Sequence, residues 1–345
     1  MNVRSDLTGG LDPDIEYFLA ERPTDPEMRD SASLWVMDDS GKIGFPRITL
    51  DAIGGHWDKP WLQLNGVLAD GRVLRLWEKL PAHSPLGPDG NVSILGAGPA
   101  EMRCVEPFRR WTMTFDGIVE QSTTAAQMAG ETGGTPVSLK FHFNMEMAAP
   151  PWLMGGMTAE ATRNIKSGTA GTLMGGVRYE QLCRVTGYAS VDGVEYPISG
   201  TGMRVRRQGV RRMGLATGHC QHSALFPSGR AFGAIAFPPG ADGKQIFNEG
   251  FVIMPNSRRV AARMIQAPWM THLVASGDNA SLTLQTQLGL IRIEGETRMM
   301  TFDQHLFEMA ESSVLEQGIA RYIWDGEETL GLIERCTLRD RLQKM

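Results

Sequence analysis

Val137-Ser138-Leu139-Lys140-Phe141-His142-Phe143-Asn144-Met145-Glu146-Met147 alternates apolar and polar side chains without a break. Successive side chains of a β-strand point to opposite faces, so Phe141, Phe143 and Met145 share one side, and His142, Asn144 and Glu146 the other. The period of two predicts a half-buried antiparallel strand, one face on a core and one polar. The polar face reads most simply as solvent-exposed. A cavity-lining face would read the same, which makes His142 and Glu146 candidate substrate contacts.

Working outward, the same grammar recurs. Leu34–Met37 leads into Asp39-Ser40-Gly41, and Leu62–Leu68 leads through Asp70-Gly71 to Val73–Trp77, both natural hairpins. Arg110–Phe115 alternates up to Asp116-Gly117, which predicts a third turn. Upstream, residues 1–30 read as an irregular arm with a helical turn at Asp14–Glu21, between Pro13 and Pro23. Downstream, Pro150-Pro151 ends the quoted strand, Thr158–Lys166 is a short helix candidate, and Ser167-Gly168-Thr169-Ala170-Gly171 reads as a linker. Strands then resume from Val177, with segments expected at Thr271–Ala275 and Glu308–Ser313 among others. A final hairpin turns at Asp325-Gly326. Short strands, regular turn signals and almost no helix predict an all-β chain of antiparallel barrels or sandwiches. A length of 345 residues suits two domains, expected at 1–175 and 176–345.

Composition narrows the function. A net charge of −5 argues against a nucleic-acid binder. No stretch reaches the roughly 18–20 apolar residues that span a bilayer, and the amino terminus lacks a signal-peptide core, so a cytoplasmic protein without stable membrane insertion is expected. Cys104, Cys183, Cys220 and Cys336 are widely spaced, which reads as reduced buried thiols rather than disulfides or a zinc site. Gly96-Ala97-Gly98-Pro99 and Gly200-Thr201-Gly202 lack the rest of a dinucleotide fingerprint, and phosphate-loop and nucleophile-elbow motifs are missing. Neither cofactor nor metal is expected. Twenty methionines suit an interior that conforms to an irregular apolar ligand, although core filling explains any single one.

One stretch carries a family resemblance. Gly200-Thr201-Gly202-Met203-Arg204-Val205-Arg206-Arg207-Gln208 opens a run with five arginines between Arg204 and Arg212. It follows Tyr179-Glu180-Gln181 and precedes Gly218-His219-Cys220-Gln221-His222 and the turn Ser228-Gly229-Arg230-Ala231-Phe232-Gly233. Together these resemble the carotenoid 1,2-hydratase and hydroxyneurosporene synthase group, the AttH-like, lipocalin-like family. Its motif Gly-x-Gly-x-Arg/His-Asp-His-x-Trp-Gly is degenerate here: Val205, Arg206 and Gln208 stand where the family has Asp, His and Trp. The resemblance implies two lipocalin-like antiparallel β-barrel or sandwich domains with an apolar cleft. It also implies a cofactor-independent lyase, hydratase or isomerase acting on a terpenoid- or polyketide-like molecule. Similar two-domain folds house pericyclases that shape a reactive chain; a non-catalytic carrier of a lipophilic ligand is the alternative from another class. A substrate bearing a carboxylate and a homodimer are both compatible with it.

Arg206 and Gln208 take the family's cavity positions, with Arg204 on the same face. An arginine there clamps a carboxylate through two parallel hydrogen bonds, or else pairs with an internal carboxylate such as Glu180 or Asp303. His219 is an acid–base candidate, facing inward with Gln221 if Cys220 packs in the core. His222 then faces the other way, so the pair does not share a metal. His305 and Asp303 form half of an acid–base pair, and Trp152 and Tyr179 are candidate substrate contacts. Trp152 also reads as a core plug between the halves.

Overall fold

The quoted stretch is a strand, and its apolar face is buried while its polar face is not. The computed structural model describes residues 6–166, 169–212, 217–240, 243–255, 259–304 and 312–343. The first sheet is antiparallel and contains β1 (Met28–Asp38), β2 (Ile43–Ile53), β3 (Trp61–Leu68), β4 (Arg72–Lys79), β5 (Ile94–Ala97), β6 (Ala100–Glu106), β7 (Arg110–Thr123), β8 (Thr135–Met147), the short β9 (Trp152–Leu153), β10 (Val177–Val191) and β11 (Val194–Val210). Its order is β4-β3-β2-β1-β11-β10-β8-β7-β6-β5, with β9 against β10. Arg72–Arg75 of β4 also pair with Glu120–Thr123 of β7, so the sheet closes on itself as a ring. The second sheet is a closed barrel: β12 (Gly218–Leu225), β13 (Ala231–Ala236), β14 (Asn248–Ile253), β15 (Arg259–Gln266), β16 (Leu282–Thr286), β17 (Gly289–Asp303), β18 (Ser313–Trp324) and β19 (Glu327–Leu338). Among the described residues three short α-helices, α1 (Thr124–Met128), α2 (Ala159–Lys166) and α3 (Thr169–Met174), lie between strands of the first sheet. The chain is all-β, and among the described residues no helix is long and apolar enough to cross a membrane.

Apolar side chains sort into three clusters. One fills the first ring (Leu34, Phe45, Phe141, Phe143), one fills the barrel (Phe232, Leu284, Tyr322), and one joins the two (Trp35, Met203, Phe251, Ile319). Alternation along β1 makes this possible. Leu34 and Val36 enter the ring's own core while Trp35 and Met37 pack toward the barrel. The motif glycines have a steric reason in the same place. A Cβ on Gly200 would sit 2.1 Å from the Met37 carbonyl oxygen, and one on Gly202 2.6 Å from that of Trp35, so β11 lies against β1 only with glycine there.

Several expectations need correction. The sheets do not part near residue 175: β10 and β11 complete the first ring between β8 and β1, and the chain passes to the barrel between Val210 and Gly218. Asp116-Gly117 is no turn. It lies inside β7, where Gly117 pairs with Leu139 and faces Pro99. Asp192-Gly193 and Asp325-Gly326, by contrast, close true hairpins, with φ of 47° and 80° and of 50° and 78°. Thr271–Ala275 is loop, and of Glu308–Ser313 the residues 308–311 lie outside those described, Ser312 is in a turn and Ser313 opens β18. The helical turn of the arm shrinks to a 3-10 turn at Pro13–Glu16, capped by the Asp12 carboxylate accepting from the Asp14 N–H at 3.0 Å.

Candidate functional site

The inward face of β11 is where the family positions fall. Arg204 is fully buried, and its Nη2 donates to Glu16 Oε1 and Oε2 at 2.8 and 3.0 Å and to Gln181 Oε1 at 2.8 Å. Its guanidinium lies 4.3 Å from the Trp111 ring centroid. Glu16 also accepts from the Phe108 N–H, Trp111 Nε1 and the Tyr179 hydroxyl. Burial alone would raise the Glu16 pKa; the Arg204 charge and these donors outweigh it and hold the pKa below the ordinary glutamate value. Burial pushes the Tyr179 phenol in the other direction, upward, with the Glu16 charge adding to it. Two residues along, Arg206 Nη1 donates to Asp30 and to the Ser31 carbonyl at 3.1 Å, Nη2 donates to the Tyr17 carbonyl at 2.6 Å, and the group lies 4.3 Å from the Phe18 centroid. Gln208 Nε2 reaches the same Tyr17 carbonyl at 3.3 Å and Asp30 Oδ2 at 3.4 Å. Arg204, Arg206 and Tyr179 are therefore held by Glu16 and Asp30, not by Glu180 or Asp303, and the arm that looked irregular supplies half of the lock.

Asp30 connects this lock to a pocket. Residues 18–20, 57, 58, 60, 81–85 and 94–96 enclose about 380 Å³, within the roughly 300–1,000 Å³ of small-molecule sites. The wall is mainly apolar (Phe18, Leu19, Trp57, Pro60, Ile94, Leu95), and Asp30 and His83 are among its polar groups. Leu19 N–H donates to Asp30 Oδ2 at 2.6 Å. His83 Nε2 donates to the Gly98 carbonyl at 2.8 Å, and its Nδ1 lies 3.4 Å from Glu101. Arg206 and Gln208 thus stand directly behind the carboxylate that lines the pocket, instead of entering it themselves.

A second polar assembly lies where the first sheet meets the barrel. His219 and Gln221 share the face of β12 turned toward the first sheet, while Cys220 and His222 point the other way, His222 Nδ1 2.6 Å from the Tyr322 hydroxyl. Burial pushes the His222 pKa down to about 3. His219 Nε2 lies 2.8 Å from Glu334 Oε1, and its Nδ1 is buried with no hydrogen-bond partner. Gln317 Nε2 donates to Glu334 Oε2 at 2.6 Å, Asn65 Nδ2 donates to Gln317 Oε1 at 2.8 Å, and Arg47 lies 3.7 Å from Glu334. Burial opposes the Glu334 charge, but the His219 hydrogen bond and the Arg47 charge hold its pKa well below the ordinary value. Gln221 Nε2 donates to Glu180 Oε1 at 2.9 Å, beside the Arg178–Glu180 ion pair. Burial raises the Glu180 pKa despite Arg178.

The other candidates are scattered. Asp303 forms an ion pair with Arg75 and so ties β17 to β4; His305 lies outside the described residues. Trp152 is fully buried, donates to Glu249 Oε2 at 3.0 Å and packs edge-on to Phe251 at 5.5 Å, as a core plug does. His142 and Glu146 stand on the outer face of β8, where His142 Nε2 is 3.3 Å from Asn144 Oδ1, away from the pocket. The four cysteines are buried and form no disulfide, their thiols pushed up to about 12 by burial. Among the described residues no group of three or more His, Cys, Asp or Glu is placed to hold a metal ion. Sequence reading missed Asp30, Glu16, His83 and Glu334, which become visible only when distant segments meet.

A family profile described as a domain of unknown function, DUF7064, matches residues 14–339. The chain belongs to the DUF7064 family. No curated protein matches its sequence. Solved structures do share the fold. A Nitrosomonas europaea protein assigned as AttH is similar at 15% identity and a TM-score of 0.53, over 89% of this chain and 92% of that one. CghA is similar at 10% identity and a TM-score of 0.52, over 91% and 89%. CghA solved with Sch210972 gives 10% and 0.51, over 97% and 98%. The DUF7064 chain thus shares the fold of an AttH-assigned protein along nearly its whole length, and its eight-stranded barrel is lipocalin-like. At these identities the likeness concerns architecture, and the chemistry has to be read from the site.

Proposed function

We propose that this DUF7064 protein binds a hydrophobic small molecule in the 380 Å³ pocket at the end of the first ring, and converts it, without a cofactor, by hydration, elimination or isomerisation. The observation that carries the reading is a carboxylate, Asp30, fixed by Arg206, Gln208 and the Leu19 N–H in a pocket lined mostly by apolar residues, with Asp58, His83 and Ser84 as its other polar side chains. Apolar walls take up a terpenoid- or polyketide-like body. A fixed carboxylate favours positive charge that forms beside it. His83 supplies an imidazole, the side chain best suited to exchanging a proton near neutral pH. Proton transfer from His83 to a carbon–carbon double bond would leave a cation facing Asp30. Capture by water, with loss of a proton, gives hydration; loss of a proton from a neighbouring carbon gives the isomer.

A carrier is the second reading, and one observation favours it: the Asp30 oxygens and both His83 ring nitrogens already have partners within the protein. Two experiments separate these. N-phenyl-1-naphthylamine, a neutral apolar dye, should bind the pocket and be displaced by terpenoid alcohols. Ala20→Trp, a change at an exposed lining residue, should weaken the dye at least ten-fold without altering the melt. Unchanged dye binding would remove the pocket from the account. Incubating a panel of terpenoid olefins in D₂O then decides for catalysis, which incorporates deuterium with the wild type and not with His83→Gln.

A further inference from the structure

The face of the first sheet turned toward the barrel is built of cross-strand rows. Arg75, Asn65 and Arg47 stand in one row across β4, β3 and β2. Each is engaged by the barrel, through Asp303, Gln317 and Glu334 respectively. The next two rows on the same face are Trp77, Gln63, Thr49, Ser33 and then Trp61, Asp51, Ser31, Arg207. All eight line a wedge-shaped pocket with Arg29, Arg47 and Arg211.

The wedge carries four guanidinium groups and one carboxylate. Asp51 forms an ion pair with Arg29 at 2.9 Å. Arg47 donates to Thr49 Oγ1 at 3.0 Å and approaches Glu334, and Arg211 Nε donates to the Leu173 carbonyl at 3.1 Å. Arg207 is different. It is 8% exposed, its Nε is buried without a partner, and among the described residues its guanidinium makes neither a hydrogen bond nor an ion pair. The charges of Arg211, Arg178 and Arg29 oppose its own, and Asp51, itself paired with Arg29, favours it. Burial, with the neighbouring arginines, holds its pKa well below the usual arginine value. A buried cation lacking its own anion is costly, and that cost disappears when an anion arrives. The half-buried indoles of Trp61 and Trp77, centroids 5.9 Å apart and planes inclined at 59°, form an angled aromatic wall on the far side of the wedge, on β3 and β4.

We propose that this wedge is a binding site for an oxyanion, carboxylate or phosphate, carried on a planar aromatic body: the head is clamped by Arg207 with Arg47 and Arg211, and the ring packs against Trp61 and Trp77. The enclosed space, about 90 Å³, holds the head group and leaves the body at the open side. A guanidinium presents paired donors that match both oxyanions, and the Ser31 and Ser33 hydroxyls also line the wedge, Ser33 Oγ accepting from Thr49 Oγ1 at 2.9 Å. The site uses the opposite face of the sheet from Asp30 and does not depend on what the apolar pocket binds.

Calorimetric titration at low salt with 2-naphthoate, 2-naphthyl phosphate, inorganic phosphate and 2-naphthol tests it. At least one naphthyl anion should bind, and the neutral naphthol at least ten-fold more weakly. Comparing the two naphthyl anions tells carboxylate from phosphate, and weaker binding of inorganic phosphate shows the part played by the ring. Arg207→Met should weaken the anion about ten- to a hundred-fold while its ligand-free melt does not fall. Arg207→Lys, which keeps the charge but loses the fork, should weaken it by at least three-fold. Ala20→Trp should leave it unchanged. Naphthol binding as tightly as the anions, unaltered anion affinity in both Arg207 variants, or an Arg207→Met melt several degrees below wild type would each overturn the proposal.

Discussion

Arg206 and Arg207 are neighbours on β11 and project to opposite faces of one sheet. Arg206 meets Asp30 and two carbonyls inside the ring; Arg207 meets other arginines in the wedge against the barrel. Both are at least nine-tenths buried. Burial therefore does not distinguish a structural cation from one kept for a ligand; the partner inventory does. A paired guanidinium is charge-balanced in the empty protein, even where Arg204 Nε and Nη1 and Arg206 Nε lack hydrogen-bond partners, and removing it strands a carboxylate. A guanidinium without its own anion is a standing cost in the empty protein, and its removal relieves that cost.

The comparison is most exposed at the paired side. Arg204→Met leaves Glu16 without its cation, and Arg206→Met leaves Asp30 so. Each should cost roughly 3–5 kcal/mol of unfolding free energy, measured by urea or thermal denaturation. Next is a pH effect. The folded Glu16 and Glu334 carboxyls titrate below their unfolded value, so they contribute stability that is fully present above about pH 4.5. That contribution is lost as pH falls toward their folded values. Stability measured from pH 6 down to pH 3 should fall, and Glu16→Gln should flatten the slope.

A smaller loss belongs to the interface. His219→Phe removes the donor to Glu334 while keeping an aromatic ring, and should cost about 1.5–3 kcal/mol. A loss under about 0.5 kcal/mol, the size of a surface change, would show that the His219–Glu334 contact contributes little to the junction. Smallest of all, His142→Ala and Glu146→Ala on the exposed face of β8 should stay within about 0.5 kcal/mol of wild type and leave dye binding unchanged. A ten-fold loss of dye affinity in either would return that face to the site.

Most of the fold was legible because alternation and Asp-Gly turns are local. β8, the hairpin at Asp192-Gly193 and the one at Asp325-Gly326 need only their own residues to be read. Asp116-Gly117 misled because the same dipeptide fits a long strand when its neighbour, Pro99, requires a glycine. The division of the chain was displaced because β10 and β11 follow a linker yet pair backward with β8 and β1, a non-local choice. In the site, alternation placed Arg204 and Arg206 together and Arg207 opposite. Their fates depend on Glu16 and Asp30, more than 170 positions away, which no local pattern could match to them. The wedge did leave a trace: Arg29, Ser31, Ser33 and Arg47, Thr49, Asp51 are polar at every second position of two strands whose other face is core. Such strands look half-exposed, and only the barrel packed beside them turns that polar face into a pocket.

The most direct test is a paired denaturation experiment on the ligand-free protein with Arg206→Met and Arg207→Met side by side. The account predicts a loss of roughly 3–5 kcal/mol for Arg206→Met and no loss, or a gain, for Arg207→Met. Equal losses in the two variants, or a larger loss for Arg207→Met, would contradict it.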